Sequence, residues 1–193
     1  MPALTPRPAY QTKIGQFIVN AEARRDAKGH LACYKLPKGD GGGTFEVAGI
    51  NDRYHPLVAA HLRTLINLGQ HADAETMAVE YICSYTDCVA SWSHWACIEA
   101  YLRDCAFNRG PGGAAKIFQI ALGVLDDGHV GSKTKAASFA IAINERRPFL
   151  RRLRAAREAY ERKIAPPVGA RKKFWNGLVS RWDKALTFAE SMV

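Results

Sequence analysis

The residues best suited to chemistry lie between Glu22 and Asn51, in EARRDAKGHLACYKLPKGDGGGTFEVAGIN. Three of its four carboxylates, Glu22, Asp40 and Glu46, stand out, together with the hydroxyl of Thr44 and a run of three glycines. A carboxyl group kept protonated near neutral pH serves as a general acid, and a second carboxylate serves as a base or nucleophile. Thr44 is suited to holding a water or orienting the second group.

The preceding segment must position Glu22. In KIGQFIVNAEARR, Ile14, Phe17, Ile18 and Ala21 repeat at the i, i+3, i+4, i+7 spacing of one helical face. Glu22 lies four residues after Ile18 and eight after Ile14, so it falls on that apolar face. Partial desolvation there disfavours the charged form, as an acid requires. The plainer alternative is a solvated glutamate paired with Arg24 or Arg25. After the glycines, TFEV alternates as a short strand and is expected to form one small hairpin beside the cleft.

The order of Glu22, then Asp40-Gly41-Gly42-Gly43-Thr44, then Gly49-Ile50 resembles the glutamate, D-x-G-G-x-T and G-I-T series of the phage and bacterial N-acetylmuramidases of glycoside hydrolase family 108. The likeness continues downstream. Tyr101 to Gly110 is similar to the family's F-D-x-A-V-N-x-G segment. Ala114 to Gln119, Asp127-Gly128 and Gly131 to Thr134 are similar to its A-x-x-L-Q, D-G and G-x-x-T elements, and Phe174 to Arg181 to its F-x-x-G-W-x-x-R element. Ala23 and Arg24 stand where the family has two glycines, and the spacers from Glu22 to Asp40 and from Thr44 to Gly49 are longer than usual. The family's cleft lining therefore does not carry over to residues 25–38.

The resemblance implies a mainly α, lysozyme-like fold (α+β) with a single small β-hairpin at the active-site cleft. It implies an endolysin-type peptidoglycan hydrolase that cleaves the β-1,4 bond between N-acetylmuramic acid and N-acetylglucosamine and lyses bacteria. Glu22 is the expected acid, with Asp40 and Thr44 completing the catalytic set. Tyr85, Asn108 and Glu46 are expected at the substrate, Glu46 standing second to Asp40 for the second carboxylate role. Residues 1–90 correspond to the catalytic region and 91–193 to the family's helical peptidoglycan-binding part, packed into one compact body. No cofactor and no metal are called for.

Length and charge are consistent with this. At 193 residues and 48% hydrophobic, the chain can bury one good core. A net charge of +9 favours anionic partners such as a bacterial envelope. Much of the excess sits in RRPFLRRLRAAREAYERK, where Arg146, Arg147, Arg151, Arg152, Arg154 and Arg157 form either a docking surface or a solvated helix face. MPALTPRPAYQTK lacks the apolar core of a secretory signal, and no run approaches the roughly 18 apolar residues of a membrane helix. A monomer made in the host cytoplasm, without stable membrane insertion and acting on the cell wall after release, is expected.

Other chemistries are disfavoured. Five cysteines make an odd number without a paired C-x-x-C framework, and Cys83, Cys88, His94 and Cys97 fit no standard zinc spacing. The glycines at 110–113 match no phosphate loop and are expected to form a turn, and DDG lacks the ligand series of a calcium loop. Trp92, Trp95, Tyr101 and Phe107 sit at helical spacing, which favours a core over a sugar-stacking platform. Asn108 reads locally as a C-cap and Ser132 as an N-cap. The alternatives are a non-catalytic wall-binding protein and a basic helical nucleic-acid binder. The chain carries no recognisable nucleic-acid motif, so nucleic acid is not the expected partner.

Overall fold

The computed structural model describes residues 7–37, 43–169 and 172–193, with the side chain of residue 173 left out. Its architecture is mainly helical, with seven α-helices and a three-stranded antiparallel sheet among the described residues. The chain divides into two compact units, Met1–Ser84 and Tyr85–Val193. No helix among the described residues is long and apolar enough to cross a membrane.

The first unit opens with α1 (Ala9–Glu22). The face it buries carries Gln11, Ile14, Gly15, Ile18 and Val19, a stripe rotated slightly from the expected one. Phe17 is half-buried and Ala21 exposed. Three short strands follow, β1 (Tyr34–Lys35), β2 (Phe45–Val47) and β3 (Ile50–Asn51), in the order β1-β2-β3. The expected hairpin is therefore β2–β3, and β1 extends it to a sheet. A two-residue strand such as β1 leaves no alternation to detect in the sequence. Val47 pairs with Ile50 across Ala48 and Gly49, whose φ values of 51° and 76° are those of a tight hairpin turn.

Helices α2 (Pro56–Asn67) and α3 (His71–Tyr85) complete the unit's secondary structure. Pro56 opens α2, where its missing N–H costs nothing. Ile14, Ile18, Leu31, Val47, Ile50, Leu62, Ala78 and Ile82 form the buried apolar core.

His55, which caps α2, holds its Nδ1 2.6 Å from the hydroxyl of Tyr81 on α3. Burial pushes the His55 pKa below its ordinary value. The unfolded chain then takes up a proton at a pH where the native imidazole stays neutral. Stability from this site is complete above the ordinary histidine pKa of about 6.5 and is lost as the pH falls through the lower native value. Urea unfolding is expected to show stability declining from pH 7 to pH 5 with a shallower slope in His55→Gln; an unchanged slope would contradict this.

The second unit is built on α4 (Ala96–Leu122), α5 (Ser132–Phe139), α6 (Arg146–Ile164) and α7 (Lys172–Glu190), preceded by a 3-10 turn at Asp87–Ser91. The glycines at 110–113 mark where two helical stretches meet within α4: the backbone leaves the helix at Gly110 (φ 72°, ψ 163°) and re-enters it at Pro111, a residue suited to a first helical turn. Asn108 lies in the last helical turn before this break. Ser132 begins α5 itself, with Gly131 in the cap position.

Trp92, Tyr101, Phe118, Phe149 and Trp182 are buried, which makes three of these five aromatics a stacked and edge-to-face group around Phe118. Trp92 and Tyr101 are thus core and not sugar platforms, while Trp95 is half-buried and donates its indole N–H to the Ile141 carbonyl. In α7 the buried residues include Trp182, Ala185 and Ala189, and Phe174 is 59% exposed.

Candidate active site

Glu22 is the last residue of α1 and is half-buried, in keeping with its place below Ile18 on the buried face. The chain then folds back on itself. Ala32 N donates to the Arg24 carbonyl at 2.9 Å, Arg25 bridges to Leu31, and the Asp26 carboxylate accepts from the Lys28 and His30 amides. His30 stacks on His71 of α3 with 3.9 Å between ring centres. Arg25 makes two hydrogen bonds to Glu75, at 2.7 and 2.9 Å, and a third to Asn20. Its guanidinium, with Gln16, holds the Glu75 carboxyl below the usual range.

Arg24 takes a different course. Its guanidinium lies 3.7 Å from the centre of the Tyr34 ring, a cation–π contact. Tyr34 is opposite Glu46 across β1–β2, and Glu46 is opposite Asn51 across β2–β3. Residues directly opposite share a face, so Tyr34, Glu46 and Asn51 form a polar row across the sheet. Phe45 and Val47, the alternate residues of β2, are buried. Tyr34 thus meets Arg24 and stands opposite Glu46.

Thr44 stands just before β2. Its amide donates to Asp52 Oδ1 at 2.7 Å, its hydroxyl donates to Asp52 Oδ2, and the Phe45 amide adds a bond of 3.2 Å to Oδ1. These donors, the Thr44 hydroxyl foremost, hold the Asp52 carboxyl below the usual range, so it is ionised at neutral pH. Asp52 is the residue that sequence reasoning missed. Asn51-Asp52 has the composition of a turn, and only the folding of β2 against β3 brings Asp52 back to a hydroxyl eight residues earlier. Asp40 lies outside the described residues.

Tyr85 and Asn108 belong to the second unit. Tyr85 is half-buried, edge-on to Phe107 at 6.1 Å. Asn108 Oδ1 accepts from Arg157 at 3.4 Å, within a buried cluster of charges. There Asp104, wholly buried, accepts from Arg157 at 2.6 Å and from Arg181 at 2.7 Å. Burial alone would push the Asp104 carboxyl up, but the two guanidinium groups bring it below its ordinary value. Burial also pushes the neighbouring Cys105 thiol up to about 12. Arg157 further faces the rings of Tyr101 and Trp182. It is fully buried and so is removed from any docking surface, unlike Arg147, Arg151, Arg152 and Arg162, which are exposed.

These bonds join the blocks that carry the family resemblance. Asp104 in the Tyr101–Gly110 block meets Arg181 at the end of the Phe174–Arg181 block. Buried Gln119 donates to Asp127 at 2.7 Å and to Thr134 at 3.2 Å, and accepts from the Gly128 amide at 2.8 Å, so three further blocks meet at one amide. Their side chains staple the second unit together.

No protein-family model and no curated protein sequence matches the chain. Among solved structures, that of Brucella abortus SagA is similar, with a TM-score of 0.65 and 23% identity over 94% of each chain. The two chains share a fold. The likeness to SagA extends over nearly all of both chains, so neither unit is peculiar to this protein.

Proposed function

We propose that the chain is a peptidoglycan hydrolase of the N-acetylmuramidase type, cleaving the β-1,4 bond from N-acetylmuramic acid to N-acetylglucosamine. The observation that carries this is the end of α1. A half-buried carboxylate closes the helix there, and a folded loop leads from it to a sheet bearing Glu46 and a fixed Thr44. The motif order and the fold shared with SagA support it.

In this mechanism Glu22 protonates the departing glycosidic oxygen as the bond to the sugar carbon breaks. The oxocarbenium-like centre is met by a second carboxylate or by water that it activates. Asp40 is the first choice for that role and Glu46 the second, with Thr44 holding water, and Tyr85 and Asn108 are proposed substrate contacts. A turbidity assay on outer-membrane-stripped cells tests the activity. Clearing with release of reducing sugar ends is expected; wall binding without new reducing ends would make the protein a non-catalytic binder.

The anionic envelope is the proposed docking partner. The second unit holds 18 Lys and Arg against 10 Asp and Glu, so eight of the nine net positive charges lie there. The exposed part of α6 presents Arg147, Arg151 and Arg162, and Arg151, Arg154 and Arg162 line a shallow groove together with Ala155, Glu158 and Ala159. Their surface ion pairs, such as Arg151 with Glu190 at 3.2 Å, contribute little to stability. Replacing Arg147, Arg151 and Arg162 with glutamine is expected to weaken wall binding several-fold and flatten its salt dependence, while cleavage of a short soluble glycan stays nearly unchanged. A parallel fall in soluble-glycan cleavage would remove the docking role.

A further inference from the structure

The carboxylate of Asp52 has a position that neither an acid nor a base in the proposed reaction explains. It follows β3 directly and turns back over the start of β2, where its own amide donates to the Phe45 carbonyl at 3.1 Å. Its two oxygens divide their work. Oδ1 takes the amides of Thr44 and Phe45, and Oδ2 takes the Thr44 hydroxyl. The fit around it is close: a Cβ added at Gly43, whose φ is +104°, would stand 2.1 Å from Oδ1, so both the backbone conformation and the approach of the carboxylate require glycine there. The exposed site alone would not order a threonine rotor, whose hydrogen ordinarily turns to suit its surroundings. With an ionised carboxylate as partner, the hydroxyl hydrogen has one destination.

We infer that Asp52 is a positioning residue, which commits the Thr44 hydroxyl hydrogen to itself and so leaves the Thr44 oxygen facing the site as a hydrogen-bond acceptor for water. An ionised carboxylate accepts only, so it fixes the direction of the bond as well as its geometry. A water held this way donates one hydrogen to Thr44 Oγ1, and its oxygen lone pair is turned away from the threonine toward its target. The inference rests on the glycosidase activity proposed above.

Asp52→Asn separates orientation from support. The asparagine carbonyl can still accept from the Thr44 and Phe45 amides, but its NH2 group donates to the Thr44 oxygen and turns the hydroxyl hydrogen outward. Turnover of a soluble glycan fragment by the purified full-length chain is expected to fall roughly tenfold, a change of about 1.4 kcal/mol in activation free energy. KM and the melting temperature should change little. Thr44→Val should lose a similar factor, and the double variant should lose no more than either alone, because the two groups act through one hydrogen bond. Asp52→Asn turnover within twofold of wild type would overturn the inference while leaving the hydrolase in place, as would a tenfold loss accompanied by a fallen melting temperature or by full additivity with Thr44→Val. Absence of cleavage by the wild-type chain would overturn the activity itself and the inference with it.

Discussion

Glu22→Gln is expected to leave the fold and wall binding intact and to lower lysis by a factor on the order of 10² or more, the usual scale for removing a positioned proton donor. Glutamine preserves the volume of the side chain at the end of α1 and loses only the transferable proton. The effect should fall on turnover, since protonation of the leaving oxygen develops in the transition state and not on binding. Circular dichroism and pelleting with purified sacculi check the first part, and cleared turbidity the second. Lysis within a few-fold of wild type would assign the acid elsewhere.

The second large effect is structural. Asp104→Asn removes the single carboxylate shared by Arg157 and Arg181, deep in the second unit. Arg157, wholly buried, then loses its carboxylate partner, and breaking a buried pair in this way costs about 3–5 kcal/mol. For a chain of this size the melting temperature shifts by roughly 2–4 °C per kcal/mol, so a fall on the order of 10 °C is expected by calorimetry. Arg152→Gln is the contrast. It breaks an exposed contact of 4.0 Å to Glu145 and should change stability by less than about 0.5 kcal/mol. Equal effects from the two substitutions would mean that the buried cluster is not what holds the unit. The native pKa of Asp104 is depressed, so its contribution is present above the ordinary aspartate value and is lost as the pH falls through the native one.

Much of the helical fold was legible because amphipathic periodicity is a local property. Ile14 and Ile18, four residues apart, marked α1 and both are buried on it. What escaped depended on contacts distant in sequence. The glycines at 110–113 have turn composition and the helix does break at Gly110, but with Pro111 at the first position of a new helical stretch no loop follows. Arg157 is one arginine among seven in a basic run, and nothing local distinguishes it from Arg151; only Asp104, 53 residues away, draws it inside. The candidate site divides the same way. Glu22 on the buried face of α1 followed from spacing to Ile14 and Ile18, whereas the Thr44–Asp52 clamp and the Tyr34, Glu46, Asn51 row exist only once the strands are paired.

Mass spectrometry of the fragments released from purified sacculi by the wild-type chain shows which bond is cut. Muropeptides carrying N-acetylmuramic acid at the reducing end, with one water added per bond cleaved and intact stem peptides, are expected, and they should disappear in Glu22→Gln. Fragments with N-acetylglucosamine at the reducing end, stem peptides freed from the sugar, or the same fragments from Glu22→Gln at an undiminished rate would contradict the proposed cleavage.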